Sequence, residues 1–538
     1  MSEQRLTPGL MVIHGNHPEA LRDLLVQWMS LHPLAPLENE VILVQSNGIA
    51  QWLKLALGRD VEEGGCGVTA ALDVQLPAQF LWRAYRGALG RDEIPEVSVL
   101  DKGPLTWRLM RLLPTLLEQG EFATLQRFLA DDADLRKRHQ LAERLADLFD
   151  QYQVYRADWL EDWSRGVDQL RLANGTVKEL DADNRWQAAL WRALLDDVGA
   201  EGLATSRAGV HGRFIQKLKS AENPLPGLPR RVVVFGISAM PAQTVEALAV
   251  LARHAQVLLC VHNPCRHHWA DIVADKDLLR HEYRRQRRRA GTPELLSDDQ
   301  QHQYAQPLLA AWGKQGRDYI NLLDQYDDPE TYRARLGAVS NGRIDLFSEV
   351  EPTNLLGQLQ DDILELRPIN ETREHWPAVD PQADDSVRFH VAHSAQREVE
   401  ILHDQLLARF DADPTLRPRD VIVMVPDINP YAPHIEAVFG QLPRDDRRFI
   451  PYTLADQGQR GREPLLVALE HLLRLPDSRF AVSEILDLLD VAAVRARFGL
   501  ADADLPLLRR WIDGAGVRWG LDGQQRERLG LPSAAEAN

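Results

Sequence analysis

Residues 41–53, with the sequence VILVQSNGIAQWL, constrain the possible fold more than any other stretch of the chain. Four apolar residues end at the polar turn QSNG, and apolar residues then recur with helical spacing. The pattern predicts a buried strand that stops at a turn and leads into a helix. In open α/β sheets ligands bind beyond the carboxyl ends of such strands. The turn is therefore either a capped helix start or a segment of a binding site.

The same alternation of strand and helix recurs along the chain. Apolar runs predict strands at residues 10–13, 41–44, 232–237, 256–261, 387–391 and 421–425. Strands that alternate with helices indicate βαβ units on a mostly parallel sheet. Between them, residues 77–225 have an almost entirely helical pattern, which predicts a helical insertion between strands of one sheet.

The predicted fold class is α/β, because two α/β units with helical insertions match the plan of a superfamily-1 helicase with two RecA-like domains. The ATP site of this plan is expected to be inactive here. The predicted domains are residues 1–76 (N-terminal segment of the first RecA-like domain), 77–225 (helical insertion), 226–385 (C-terminal segment of the first RecA-like domain, with a loop-rich insert), 386–460 (second RecA-like domain) and 461–538 (start of a second helical domain). We expect the last of these to be truncated.

The residues that an ATP site requires are missing from the expected positions. A nucleotide-binding turn needs a glycine-rich loop whose N–H groups and lysine hold the phosphates. The turn after the first predicted strand is HGNHPEA and has no lysine, and no acidic residue ends the strand at 232–237. We therefore expect no ATP hydrolysis by this chain, and we assign no catalytic residue, metal or cofactor to it.

Composition limits the partners and the compartment. A net charge of −17 argues against non-specific coating of nucleic acid, but not against a narrow nucleic-acid channel. The basic run at residues 280–289 is either a solvated surface or a phosphate contact. Three cysteines without disulfide or metal spacing, no secretory leader and no long apolar run indicate a cytoplasmic protein.

Two other groups of polar residues have ordinary structural explanations. The loop at residues 262–268 lacks zinc-ligand spacing, so we interpret Cys265 as a small buried filler. Asp147 and Asp150 share one helical face, and more aspartates lie at residues 131–134. These carboxylates form either a solvated acidic surface or a nuclease metal site.

Nine blocks of sequence in order resemble the RecC family, the gamma subunits of the bacterial exodeoxyribonuclease V complex, RecBCD. The blocks are VILVQSNGIAQWL (41–53), LPAQFLW (76–82), ADLFDQYQVYRADWL (146–160), VFGISAMP (234–241), NPCRHHWADI (263–272), PLLAAWGKQGRDY (307–319), HSAQREVEILHD (393–404), RDVIVMVPDI (419–428) and LPDSRFAVSEILDLLDV (475–491). Their collinear order makes the resemblance specific, although each block alone is weak.

The resemblance implies a non-catalytic DNA-binding subunit of a helicase/nuclease that processes double-strand breaks for recombinational repair. RecB-like and RecD-like partner subunits would use ATP and magnesium, and this chain would support unwinding by RecB. It would channel the unwound DNA and recognise the Chi sequence in the 3′-ended single strand. A pure scaffold for the motor subunits is one alternative, and an AddB-type helicase/nuclease subunit is another.

Carried over position by position, the Chi-reading residues of the family fall on Gln45, Asn47, Gln51, Leu76, Trp82, Asp147, Leu148, Asp150, Gln151, Arg156 and Arg207. The set suits single-stranded bases, because carboxamides, carboxylates and guanidinium groups can bond base edges and an indole can stack on a base. Asn47 replaces the threonine of the best-known members, so the contact made there is expected to differ.

Overall fold

The computed structural model describes residues 6–35, 37–131, 135–172, 176–269, 306–337, 344–455, 463–528 and 530. The chain divides into two compact units, Met1–Val387 and Arg388–Asn538. The basic run at residues 280–289 lies outside the described residues. None of the helices among the described residues combines the length and hydrophobicity that crossing a membrane requires.

The first unit is built on a parallel sheet. Its strands and those of a small separate hairpin are β1 (Gly9–Gly15), β2 (Glu40–Leu43), β3 (Leu72–Gln75), β4 (Gln169–Arg171), β5 (Val177–Glu179), β6 (Arg231–Phe235) and β7 (Gln256–His262). The five-stranded sheet has the order β1-β7-β6-β2-β3, and β4 pairs with β5 in the antiparallel hairpin. The mixed α/β class with a parallel sheet is therefore confirmed.

The four strands predicted for this unit are present, with ends shifted by one or two residues. β2 and β6 are buried at every position, which explains their continuous apolar runs. β3 was not predicted. It is a short edge strand whose residues are only half-buried, so its sequence LDVQ lacks an apolar run.

Helices of the first unit precede, follow and interrupt the sheet. They are α1 (Pro18–Leu31), α2 (Asn47–Leu57), α3 (Pro77–Leu89), α4 (Lys102–Leu116), α5 (Ala123–Phe128), α6 (Arg136–Tyr155), α7 (Ala157–Ser164), α8 (Arg185–Ala204), α9 (Arg207–Ser220) and α10 (Ala242–Leu251), followed by Pro307–Trp312, Lys314–Asp324, Arg333–Gly337, Leu355–Leu364 and Ile369–His375.

Successive residues of the strands point into two different cores. Val232 and Val234 of β6 pack with side chains of α3, α9 and α10, whereas Val233 and Phe235 pack with side chains of α1 and α2. The sheet is therefore covered by helices on both faces, as parallel sheets usually are. Helices α4 to α8 share a third core around Phe149, which separates this helical body from the sheet.

The strands predicted at residues 387–391 and 421–425 are wrong: neither segment is a strand. Side chains that a sheet would cover are open, since Ile422 is 85% exposed and Met424 is 88% exposed. A strand needs a hydrogen-bonded neighbour, and the described residues of the second unit contain no strand to supply one. An apolar run indicates a segment able to be buried, but does not supply the partner.

The second unit is helical over its described residues. Its helices are Ala395–Ala412, Ile428–Phe439, Pro464–Arg474, Val482–Leu489, Ala492–Arg497, Leu505–Gly514 and Gly523–Arg528. The first two pack together through a small core of Val399, Phe439 and Ile450. A helix follows each of the segments 387–391 and 421–425, although neither segment is a strand.

Candidate nucleic-acid interface

A pocket of about 350 Å³ opens where three neighbouring strands end. Gln45 follows β2, Leu76 follows β3 and Ile237 follows β6, so each strand contributes its carboxyl end to the lining. Other helices and turns add Trp82, Asp101, Gln153, Tyr155, Arg207, Met240 and Gln243. We call this the strand-end pocket, and its position is the usual one for ligands of open α/β sheets.

The turn after β2 is shaped by the capping of α2. The hydroxyl of Ser46 accepts a hydrogen bond from the backbone N–H of Ile49 at 3.4 Å, which starts the helix at Asn47. Gln45 precedes the cap, is exposed and lines the strand-end pocket. Asn47 and Gln51 are also exposed but do not line this pocket.

Arg207, at the start of α9, is held by two carboxylates from the helical body. Its Nε donates to Asp101 Oδ1 at 2.8 Å, and its Nη2 lies 2.8 Å from the same oxygen. Its Nη1 is 3.2 Å from Asp150 Oδ1, an ion pair that lacks hydrogen-bond geometry. Burial raises the pKa of Asp150, and Arg207 only partly opposes that rise.

Trp82 is half-buried, and its N–H group is already bonded. The indole Nε1 donates to the carbonyl oxygens of Glu96 at 2.8 Å and Pro95 at 3.2 Å. The ring lies edge-on to Tyr85, with 6.3 Å between centroids. These contacts fix the indole plane, so Trp82 can offer a ring surface but not a free donor.

A buried hydrogen-bonded series supports Tyr85 in turn. The Tyr85 hydroxyl is 2.8 Å from His211 Nδ1, and His211 Nε2 is 3.2 Å from a carboxylate oxygen of Glu246. Burial raises the pKa of Tyr85, which keeps the phenol protonated. The series ties α3, α9 and α10 together beneath the strand-end pocket.

Asp147 and Gln151 lie on α6, and Asp147 lines a second, neighbouring groove. Lys102 Nζ donates to Asp147 Oδ1 at 2.9 Å, and Gln151 Nε2 donates to Asp147 Oδ2 at 3.1 Å. The Lys102 hydrogen bond holds the pKa of Asp147 below its usual value. Asp147 lines the second groove but not the strand-end pocket, while Leu148 is half-buried and lines neither.

Arg156 is engaged away from the strand-end pocket. Its Nε and Nη2 donate to the two carboxylate oxygens of Asp158 at 3.0 and 2.9 Å, and Nη2 also contacts the carbonyl of Arg171. The guanidinium stacks 3.7 Å from the centroid of the Trp159 ring. Thus the structure brings Gln45, Leu76, Trp82 and Arg207 into one pocket, adds Asp150 through its ion pair, and leaves Arg156 apart.

Several lining residues were not predicted from the sequence. Met240 and Gln243 follow β6 and could have been found by the same strand-end rule that selected Gln45. The sequence around Asp101 does not indicate its place in the pocket, because its partner Arg207 is 106 positions away along the chain.

The turn after β1, where a phosphate loop would lie in an ATPase, is bonded to the chain's own backbone. Leu346 N–H donates to the carbonyl of His14 at 2.7 Å. The Asn16 side chain donates to the Ser348 carbonyl at 2.9 Å and accepts from the Ser348 N–H at 3.0 Å. A Cβ on Gly15 would lie 3.2 Å from the Leu346 oxygen, so this segment also closes the space over the turn.

The other polar groups show ordinary packing. Cys265 is fully buried, with its thiol donating to the carbonyl of Leu364 at 3.4 Å, which confirms its interpretation as a buried filler. The described residues contain no group of three or more histidine, cysteine or acidic side chains arranged to hold a metal ion. Asp132 and Asp134 lie outside the described residues.

Comparison with known proteins identifies the family. The model described as "RecC, N-terminal domain" matches residues 10–366, and that described as "RecBCD enzyme subunit RecC fourth domain" matches residues 462–538.

Curated relatives agree with the family models. The RecBCD enzyme subunit RecC of Escherichia coli (strain K12) is 41% identical, over 98% of this chain and 46% of its own length. The proteins of that name from Haemophilus influenzae and Mycolicibacterium smegmatis are 36% and 30% identical, over 96% and 92% of this chain and 47% and 42% of their own lengths. This chain thus spans about half the length of the curated relatives that it matches. It belongs to the RecC family.

Proposed function

We propose that this chain acts as the Chi-reading portion of a RecC subunit, in a cytoplasmic complex with RecB-like and RecD-like motor subunits that repairs double-strand breaks. The carrying observation is the strand-end pocket, where Gln45, Trp82 and Arg207 meet beyond the ends of neighbouring strands. The name of the relatives, RecBCD enzyme subunit RecC, supports the partnership. Among the described residues, Cys66, Cys260 and Cys265 form no disulfide bond, which suits a reducing compartment.

The chemistry of the pocket suits an unstacked base better than a duplex. The fixed indole of Trp82 provides a surface for stacking, worth roughly 1–3 kcal/mol per base. Gln45 can donate to and accept from a base edge. Arg207, with its carboxylate partners, can exchange an ion pair for the acceptor edge of a guanine. Such contacts read bases in a single strand, whose edges and faces are open.

The proposed helicase ancestry is supported in the first unit by the parallel sheet with helices on both faces. We propose two RecA-like domains with the boundaries given above, the second lacking its own strands in the described residues. Closure of the turn after β1 by residues 346–348 favours a non-catalytic subunit over an AddB-type helicase.

The proposal is tested in a reconstituted complex that contains the full-length subunit and its motor partners. Gln45→Ala and Asp150→Ala should leave the unwinding rate within about twofold of the parent but reduce the Chi response roughly tenfold, since each removes about 1–3 kcal/mol of base discrimination. The measurement is the fraction of Chi-terminated single strands produced from a Chi-containing duplex.

Matched controls lie on the same unit. Gln27 and Asp196 are exposed residues of α1 and α8, and Gln27→Ala and Asp196→Ala should behave like the parent. A normal Chi response in both pocket variants would refute the reading role and favour a scaffold. A complete loss of unwinding in these variants would also count against the Chi-reading role, because Gln45 and Asp150 would then be needed to assemble the complex.

A further inference from the structure

A second groove, of about 540 Å³, adjoins the strand-end pocket. Its lining includes Lys102, Phe128, Gln140, Glu143, Arg144 and Asp147, and we call it the α6 groove. The two sites meet at the start of α4, where Asp101 lines the pocket and the next residue, Lys102, lines the groove. They are therefore neighbouring regions of one surface of the first unit.

The outward face of α6 connects the two sites. Residues at intervals of three or four share this face, namely Arg136, Gln140, Arg144, Asp147, Gln151 and Tyr155. Gln140, Arg144 and Asp147 line the α6 groove, and Tyr155 lines the strand-end pocket. Since α6 has 20 residues, the face extends for about 30 Å, at about 1.5 Å per residue.

The groove combines an exposed aromatic ring with cationic side chains. Phe128 is 51% exposed, and Lys137 Nζ lies 5.8 Å from its ring centroid. Arg144 is exposed, and Lys102, at the junction with the pocket, is hydrogen-bonded to the Asp147 carboxylate at 2.9 Å. Stacking surfaces flanked by positive charge are typical of sites that hold single-stranded nucleic acid.

We propose that the α6 groove binds the nucleotides of a single DNA strand that adjoin those in the strand-end pocket. Phe128 stacks on a base, Arg144 neutralises a phosphate and Gln140 contacts a base edge. The inference rests on the proposed function, because the strand that enters the groove is the one whose bases the pocket reads. Glu143, also exposed in the groove, opposes binding by repelling phosphate.

The test measures binding of the complete chain to fluorescein-labelled oligodeoxythymidylate of about 16 nucleotides, by fluorescence anisotropy over a range of salt concentrations. Phe128→Ala should weaken binding roughly five- to a hundredfold, with little change in salt dependence, whereas Phe128→Tyr should retain it. Arg144→Gln should weaken binding and reduce the slope of log affinity against log salt by about 0.7. Glu143→Gln should strengthen binding.

Two further variants separate the inference from the function on which it rests. Trp312→Ala removes an aromatic that is 80% exposed elsewhere on the unit and should bind like the parent chain. Trp82→Ala probes the strand-end pocket. If Trp82→Ala weakens binding while the Phe128, Arg144 and Glu143 variants match the parent, the groove proposal is overturned and the function stands. If neither the pocket nor the groove variants alter binding, both are overturned.

Discussion

Asp150 and Asp147 are three positions apart on α6, yet their surroundings shift their pKa values in opposite directions. Burial dominates at Asp150 and raises its pKa, despite the ion pair with Arg207. Asp147 is partly exposed to solvent, and the hydrogen bond from Lys102 lowers its pKa. Asp150 therefore retains its proton more readily than a free aspartate, and Asp147 loses its proton more readily.

This contrast predicts opposite effects of pH on folding stability. Because the pKa of Asp150 is raised in the folded state, this residue contributes stability that is fully present below its unfolded-state pKa of 3.8. That contribution is lost as pH rises through the folded-state pKa. Asp150→Asn removes that loss, so its free energy of unfolding should rise relative to the parent as pH increases through this window. Urea unfolding at a series of pH values measures the difference.

Asp147→Asn is the matched comparison. Because the pKa of Asp147 is lowered in the folded state, its carboxylate contributes stability above the unfolded-state pKa of 3.8. That contribution is lost as pH falls through the folded-state pKa. Removing the carboxylate should therefore make the variant gain relative stability as pH falls. Parallel pH profiles for the two variants would contradict the opposing environments assigned to these carboxylates.

At the scale of the element, the start of α2 determines where Gln45 and Asn47 are presented. Ser46 caps the helix through one hydrogen bond, which is long, at 3.4 Å, and lies at an exposed site. The cap is local and could be predicted from the sequence QSNG, because serine before an apolar periodic run is a common helix start.

Ser46→Ala should lower the free energy of unfolding by about 0.5–1 kcal/mol, the lower end of the range for caps, whereas Ser46→Asp should retain most of the stability. Urea unfolding with tryptophan fluorescence measures both changes. Equal losses in the two variants would show that the hydroxyl does not cap α2.

The strands were only partly predictable, for a reason that also lies at this scale. β1, β2, β6 and β7 are buried by helices of their own unit, so their apolar runs and their pairing agree. Residues 421–425 have an equally apolar sequence, VIVMV, but no strand among the described residues of their unit pairs with them. Hydrophobic pattern is local, while a β ladder depends on a distant partner.

At the scale of the whole molecule, the sheet resembles one that could bind a nucleotide, but the turn after β1 is covered. The backbone groups of His14 and Ser348, together with the Asn16 side chain, are bonded within the chain. This turn also lacks the lysine that phosphate binding requires.

The purified chain should therefore show no DNA-stimulated ATP hydrolysis above background in a coupled phosphate-release assay. Gel filtration provides the control, since turnover from a contaminating motor would not follow the protein peak. Activity that coelutes with the chain and increases with single-stranded DNA would contradict a non-catalytic role.

By itself the sequence determined the α/β class, four strands of the parallel sheet, the turn at Gln45 and the missing phosphate loop, because each depends on residues close together in the chain. Only the tertiary structure decided which side chains share the strand-end pocket. It joined Asp101 to Arg207 across 106 positions and stacked Arg156 on Trp159 outside the pocket. Side-chain neighbours of this kind are set by long-range packing, which local periodicity does not encode.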